Sequence, residues 1–184
     1  MKRRTLFLLL LSALLLLSAC GNGASLPPEA QKLVGSWGYD HDPETVVLQL
    51  RSNGRAVYEG KEYAFTCTED QIDLSDGNGT VQRLRYEADE TGILLFRPVV
   101  YFCEGTSDGL VGSWKDAENR LSFVFAADGQ FEEDETFSGT FTVDEAAGTF
   151  TLRYAGPFDD TTCFFTLGAD RLLVEYPWHM VKIK

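Results

Sequence analysis

The chain has 184 residues and a net charge of −12, from 16 basic and 28 acidic side chains; 44% of it is hydrophobic and 12% aromatic, so it is neither disordered nor collagen-like. Its acidity argues against nucleic-acid binding, which needs a basic face to neutralise phosphates, and against attraction to anionic lipid headgroups. Two histidines and four cysteines argue against a histidine-rich metal centre.

The N-terminus opens on Lys2, Arg3 and Arg4, followed by an apolar run over residues 6–17. As a helix that run rises about 18 Å, short of the roughly 30 Å hydrocarbon core, so an export signal fits better than a permanent membrane span. The run ends in Leu17-Ser18-Ala19-Cys20, which resembles the bacterial lipobox. The resemblance implies cleavage of residues 1–19, lipidation of the Cys20 thiol and an extracytoplasmic protein anchored to a bacterial membrane. The alternative is an ordinary secretory signal that happens to contain a cysteine. Two acyl chains suffice for stable anchoring. Cleavage takes the net charge from −12 to −15 through loss of the three basic residues. Residues 20–32 then read as the lipidated cysteine and a flexible tether of roughly 20 Å reach, in which Pro27-Pro28-Glu29-Ala30 can start one helical turn.

The remainder is a tandem repeat, residues 33–109 and 110–184. Leu33-Val34-Gly35-Ser36-Trp37 recurs as Leu110-Val111-Gly112-Ser113-Trp114, displaced by 77 residues. Apolar alternating runs then end in Asn53-Gly54 and Asp128-Gly129, dipeptides that favour the type I′ hairpin turn. Each copy divides into about eight short strands. In the second they begin near Trp114, Leu121, Gln130, Phe137, Thr149, Thr161, Arg171 and His179. Phe150, Leu152 and Tyr154 share one face, Phe137, Phe141 and Val143 another, and Leu84 and Tyr86 alternate with Arg83 and Arg85. Short polar connections imply antiparallel neighbours, hence an all-β up-and-down meander. Two architectures hide its apolar face: two tandem small barrels of about eight strands each, or one composite barrel with a cavity. If there are two, each copy is expected to fold alone.

The Gly-X-Trp that opens each copy, Gly35 to Trp37 and Gly112 to Trp114, resembles the calycin group, and more closely the small lipocalin-like domains of bacterial lipoproteins. The resemblance implies an up-and-down barrel, a tryptophan closing its floor, and a basic residue of the last strand packed across the ring. Lys182 or Lys184 fits that role in the second copy, whereas Val99-Val100-Tyr101-Phe102-Cys103 in the first offers no cation. A barrel of six-residue strands is only wide enough for its own side chains, with Phe123, Phe125, Phe141, Phe150 and Phe165 as its filling.

Candidate sites are sparse. Trp37 and Trp114 can stack on a ligand, but their place after a strand-opening glycine favours a structural role. Glu132-Glu133-Asp134-Glu135 offers oxygens to a cation, yet successive strand residues point to opposite faces. Asp73, Asp76 and Asn78 lack EF-hand spacing, and Asp40, His41 and Asp42 read as a polar turn. Beyond Cys20 three cysteines remain. Cys67 and Cys103 can pair after export, although the bond would have to cross the interior, and Cys163 reads as a small core residue. No hydrolase elbow, P-loop, zinc or dinucleotide signature occurs. The expectation is a non-catalytic protein with no cofactor, no metal and no nucleic-acid partner, which binds an unknown protein or small molecule. The alternatives are a carrier or sensor of a small hydrophobic ligand in a calycin-type cavity, and a cation-dependent module. Charges of −8 and −7 on the two copies fit solvated outer faces.

Overall fold

The computed structural model describes residues 26–88 and 90–183; the signal segment, Cys20 and the start of the tether lie outside them. A short helix α1 (Pro28–Leu33) leads into β1 (Gly35–Tyr39), β2 (Leu48–Leu50), β3 (Arg55–Tyr58), β4 (Lys61–Cys67), β5 (Gln71–Ser75), β6 (Val81–Ala88) and β7 (Ile93–Cys103). The second copy supplies β8 (Gly112–Asp116), β9 (Ser122–Phe125), β10 (Gln130–Glu133), β11 (Phe137–Asp144), β12 (Thr149–Tyr154), β13 (Thr161–Leu167) and β14 (Arg171–Ile183). Every strand pairs antiparallel with the next, and β14 returns to β1, so the meander closes in a ring of 14 strands. The all-β up-and-down class therefore holds.

A further ladder crosses the ring. β7 and β14 pair over ten residues, from Ile93↔Met180 to Phe102↔Arg171. β7 keeps β6 as its other neighbour over 93–96 and gains β8 over 101–103. β14 likewise keeps β13 over 172–175 and gains β1 over 180–183. The two long strands thus enter one half of the molecule and leave in the other, arranged about the pair Arg97↔Tyr176. Two apolar clusters result. One gathers residues of α1 and β1–β7 together with Met180 from the second copy. The other gathers β8–β14 together with Tyr101 from the first.

This changes the strand count from eight per copy to seven. The segments expected to start at Arg171 and His179 are one strand, and Val99 to Cys103 continues the strand begun at Ile93. Pro177 and Pro98 do not end these strands. Each lies in the four-residue stretch, 176–179 or 97–100, where one outer neighbour has left and the next has not joined. No ladder hydrogen bond is demanded on that side, the situation in which a strand tolerates proline.

The alternation reading holds where it meets a cluster: Leu84, Tyr86, Phe150 and Leu152 are buried, as are Phe123, Phe125 and Cys163, while Phe141 and Phe165 pack partly buried against the second cluster. Phe137 and Val143 are exposed instead, towards the two ends of β11 on either side of the partly buried Phe141. The Asn53-Gly54 and Asp128-Gly129 turns are not type I′. Only Gly54 (φ +75°) and Gly129 (φ +84°) are left-handed. Arg51 N–H bonds to Arg55 O, and Gly54 N–H to Arg51 O, with Asn53 Oδ1 accepting from Arg55 N–H. The second copy repeats this with Ala126, Gln130, Gly129 and Asp128. This is a type I turn followed by a left-handed glycine, the usual three-residue hairpin loop. The tether is also shorter than expected. Pro28 starts a helix whose Ala30 and Leu33 are buried in the first cluster, since apolar burial outweighs the freedom of a coil.

Both tryptophans of the Gly-X-Trp copies are buried. The Trp37 and Trp114 indoles each donate to the carbonyl four residues back, Leu33 and Leu110, at 2.8 Å. Gly35 and Gly112 adopt φ of +148° and +151°, and a Cβ on Gly35 would collide with the Lys182 side chain. Lys182 serves not the second copy but the first: it pairs with Trp37, its Nζ 5.4 Å from the ring centroid. The partner opposite Trp114 is Cys103. The Cys67–Cys103 disulfide does not form. All three described cysteines are free, and Cys67 packs on the first cluster while Cys103 packs on the second.

Candidate binding cleft

β10 carries Phe131 into the second cluster, and the two-residue strand period places Glu133 on that same face, at the cluster's rim. The chain then reverses through Asp134 (φ +52°) and Glu135 (φ +54°). The Asp134 carboxylate anchors the turn by accepting from Ser122 N–H at 2.6 Å. Consequently the four carboxylates of the acidic run diverge: Glu132 and Glu135 face solvent, Asp134 holds the backbone, and Glu133 turns inward.

Glu133 lies in an open cleft of about 410 Å³, walled by Phe137, Tyr154, Phe158, Tyr176, Pro177 and Trp178, with Asp159 and Thr161 at the edge. Tyr154 Oη donates to Glu133 Oε2 at 2.8 Å. Among the described residues no lysine, arginine or histidine forms an ion pair with Glu133; the salt bridges all lie elsewhere. Burial therefore raises its carboxyl above the ordinary glutamate value, partly offset by the Tyr154 hydrogen bond. The Phe137, Tyr154 and Phe158 rings stand edge to face, with interplanar angles of 84°, 89° and 67°. Phe158 is 53% exposed and Phe137 37%, aromatic area that folding alone does not hide. Tyr176 is held by a 2.7 Å hydrogen bond between its hydroxyl and that of Tyr101. Trp178 packs on Tyr39 of the first copy, 5.0 Å between centroids, with the Arg97 guanidinium 5.7 Å from its ring. The crossing strands thus build one wall of the cleft.

The other polar clusters make local contacts within their own turns and strands. Asp76 Oδ1 accepts from Asn78 and Thr80 N–H, and Asp73 accepts from Gln71 at 2.6 Å. His41 stacks on Tyr39 with Nδ1 3.4 Å from Asp40. Among the described residues no group of three or more His, Cys, Asp and Glu is placed to hold a metal ion.

Sequence reasoning passed over the cleft. Phe158 stands alone in a Gly-Pro-flanked polar segment, and the spacing from Phe131 to Glu133 puts an acid on a core face. Both were visible signals, but only the fold brings them to Trp178, from a strand shared between the copies. Comparison of the chain with protein-family models, curated proteins and solved structures gives no match.

Burial of Glu133 has a measurable consequence. Its raised folded-state pKa means that stability is lost as pH rises from the ordinary value of 4.5 through the folded one. Glu133→Gln, which keeps an acceptor for Tyr154, is expected to melt higher than the parent at pH 8, the difference vanishing near pH 4. Scanning fluorimetry across that range checks this, and an equal or lower melting point at pH 8 would contradict it.

Proposed function

We propose that the protein is an extracytoplasmic lipoprotein, anchored through Cys20, whose body binds a small ligand in the aromatic cleft without carrying out chemistry. The observation that carries this reading is the cleft itself: aromatic walls left partly exposed around a carboxylate that has no counter-charge among the described residues. Ligand sites are typically concave and apolar, with a few convergent polar groups. The accompanying architecture, in our reading, is a pair of calycin-like barrels that exchange closing half-strands through β7 and β14. A surface cleft is favoured over an internal carrier cavity because the second cluster is filled by its own rings, Phe123 on Phe125 at 5.0 Å and Phe125 on Phe150 at 5.4 Å.

Two experiments test this. Cys20→Ser should move the protein from the membrane to the soluble fraction; retention in the membrane would count against the anchor. For the cleft, choline, its neutral carbon analogue 3,3-dimethylbutan-1-ol, and maltotriose are titrated calorimetrically into the full chain. At least one should bind saturably, and Phe158→Ala, at an exposed position, should weaken that binding. Failure of all three would remove the cleft as the site. Saturable Nile red binding unaffected by Phe158→Ala would instead favour an internal carrier.

A further inference from the structure

We propose that the ligand of the cleft is an organic cation, a quaternary or methylated ammonium group, seated among Phe137, Tyr154 and Phe158 with Glu133 as its counter-charge. This rests on the cleft being the binding site.

Three independent features converge on that chemistry. First, the rings are set as walls rather than as a platform. Phe137 and Phe158 meet at 89° and 5.4 Å, and Phe137 and Tyr154 at 84°. A pyranose stacks best on one flat open face, whereas a tetrahedral cation is attracted to the negative faces of several rings around it. Second, Glu133 is an inward-facing carboxylate whose one described side-chain partner is the neutral Tyr154 hydroxyl. A desolvated anion without a cation is costly, and an ammonium ligand supplies the missing charge. Third, the cleft lining adds a second carboxylate, Asp159, and carries no lysine, arginine or histidine among the described residues, and a cleft lined by one sign of charge favours a cation over an anion. An inorganic cation fits less well, because the walls offer carbon faces rather than the six or more oxygens that Ca²⁺ requires. The volume of about 410 Å³ admits a trimethylammonium head with a short chain.

The decisive comparison is choline against 3,3-dimethylbutan-1-ol, which have the same shape and differ in charge. With the full chain, choline is expected to bind at least about tenfold more tightly. Glu133→Gln should weaken choline by about tenfold or more while leaving the alcohol unchanged. Phe158→Ala should weaken both. Near-UV circular dichroism confirms that each variant is folded. Lowering the pH should weaken choline at a higher pH than an ordinary glutamate would, and should leave the alcohol unaffected.

Equal affinity for choline and the alcohol, or choline binding indifferent to Glu133→Gln, would overturn the cation assignment while leaving the cleft as an apolar site. Preference for maltotriose would replace the cation with a sugar. No binding of any of the three would remove the cleft reading as well.

Discussion

Residues 110–184 expressed alone are expected to remain unfolded, and to fold when residues 26–109 are supplied as a separate chain. The sequence repeat suggests the opposite, two self-sufficient modules, but the second copy lacks its own closing strand. Without β7, β8 loses its neighbour over 101–103 and β14 loses ten paired residues. The second cluster loses Tyr101, which is 1% exposed, with Val99 and Cys103 packed beside it. Removing one large buried aromatic costs about 3–5 kcal/mol. A domain of this size holds only about 4–11 kcal/mol in total at 0.05–0.15 kcal/mol per residue. The exposed ladder groups of two strands come on top of that. Near-UV circular dichroism and thermal melting are the readouts. A cooperative transition in 110–184 alone would defeat the prediction, and recovery of signal on mixing the halves would support it.

Trp114→Ala is expected to lower stability by about 3–5 kcal/mol, and Trp114→Phe by about 1–3 kcal/mol. The first change empties a site in the second cluster, where Trp114 is fully buried. The second keeps most of the apolar volume but leaves the Leu110 carbonyl, which accepts the indole N–H at 2.8 Å, without its partner. Trp37→Ala should act similarly in the first cluster and also free Lys182, which lies over its ring. Because β7 and β14 contribute to both clusters, either alanine variant should shift a single transition of the whole molecule. Urea denaturation followed by far-UV circular dichroism measures this. Two resolved transitions, only one of them shifted, would show that the clusters unfold independently.

The legible parts of the fold are those in which neighbouring residues carry the information. The period-two runs at Phe150-Leu152 and Leu84-Tyr86 located buried faces correctly, because side-chain alternation is a property of the strand itself. The repeated pentapeptide marked two equivalent tryptophans that make the same hydrogen bond. Turn type was less legible. Asn53-Gly54 and Asp128-Gly129 mark hairpins, but the dipeptide alone does not separate a type I′ loop from a type I loop closed by a left-handed glycine. Both left-handed residues occur together instead at Glu59-Gly60 and at Asp134-Glu135, where the strand register demands them.

By itself, then, the sequence determined the all-β class, the strand starts of residues 110–184 other than His179, and most of the residues that seek an interior, since each follows from composition and short-range periodicity. Tertiary structure alone decided that β7 and β14 run on past Pro98 and Pro177 and pair with each other across the ring. Backbone hydrogen bonds carry no residue signature to name a distant partner, so pairing between residues 93–102 and 171–180 leaves little trace in either segment. The same holds for the cleft. Glu133, Phe158 and Trp178 come from three separate parts of the chain, and their chemistry exists only where the shared ladder brings them to one rim.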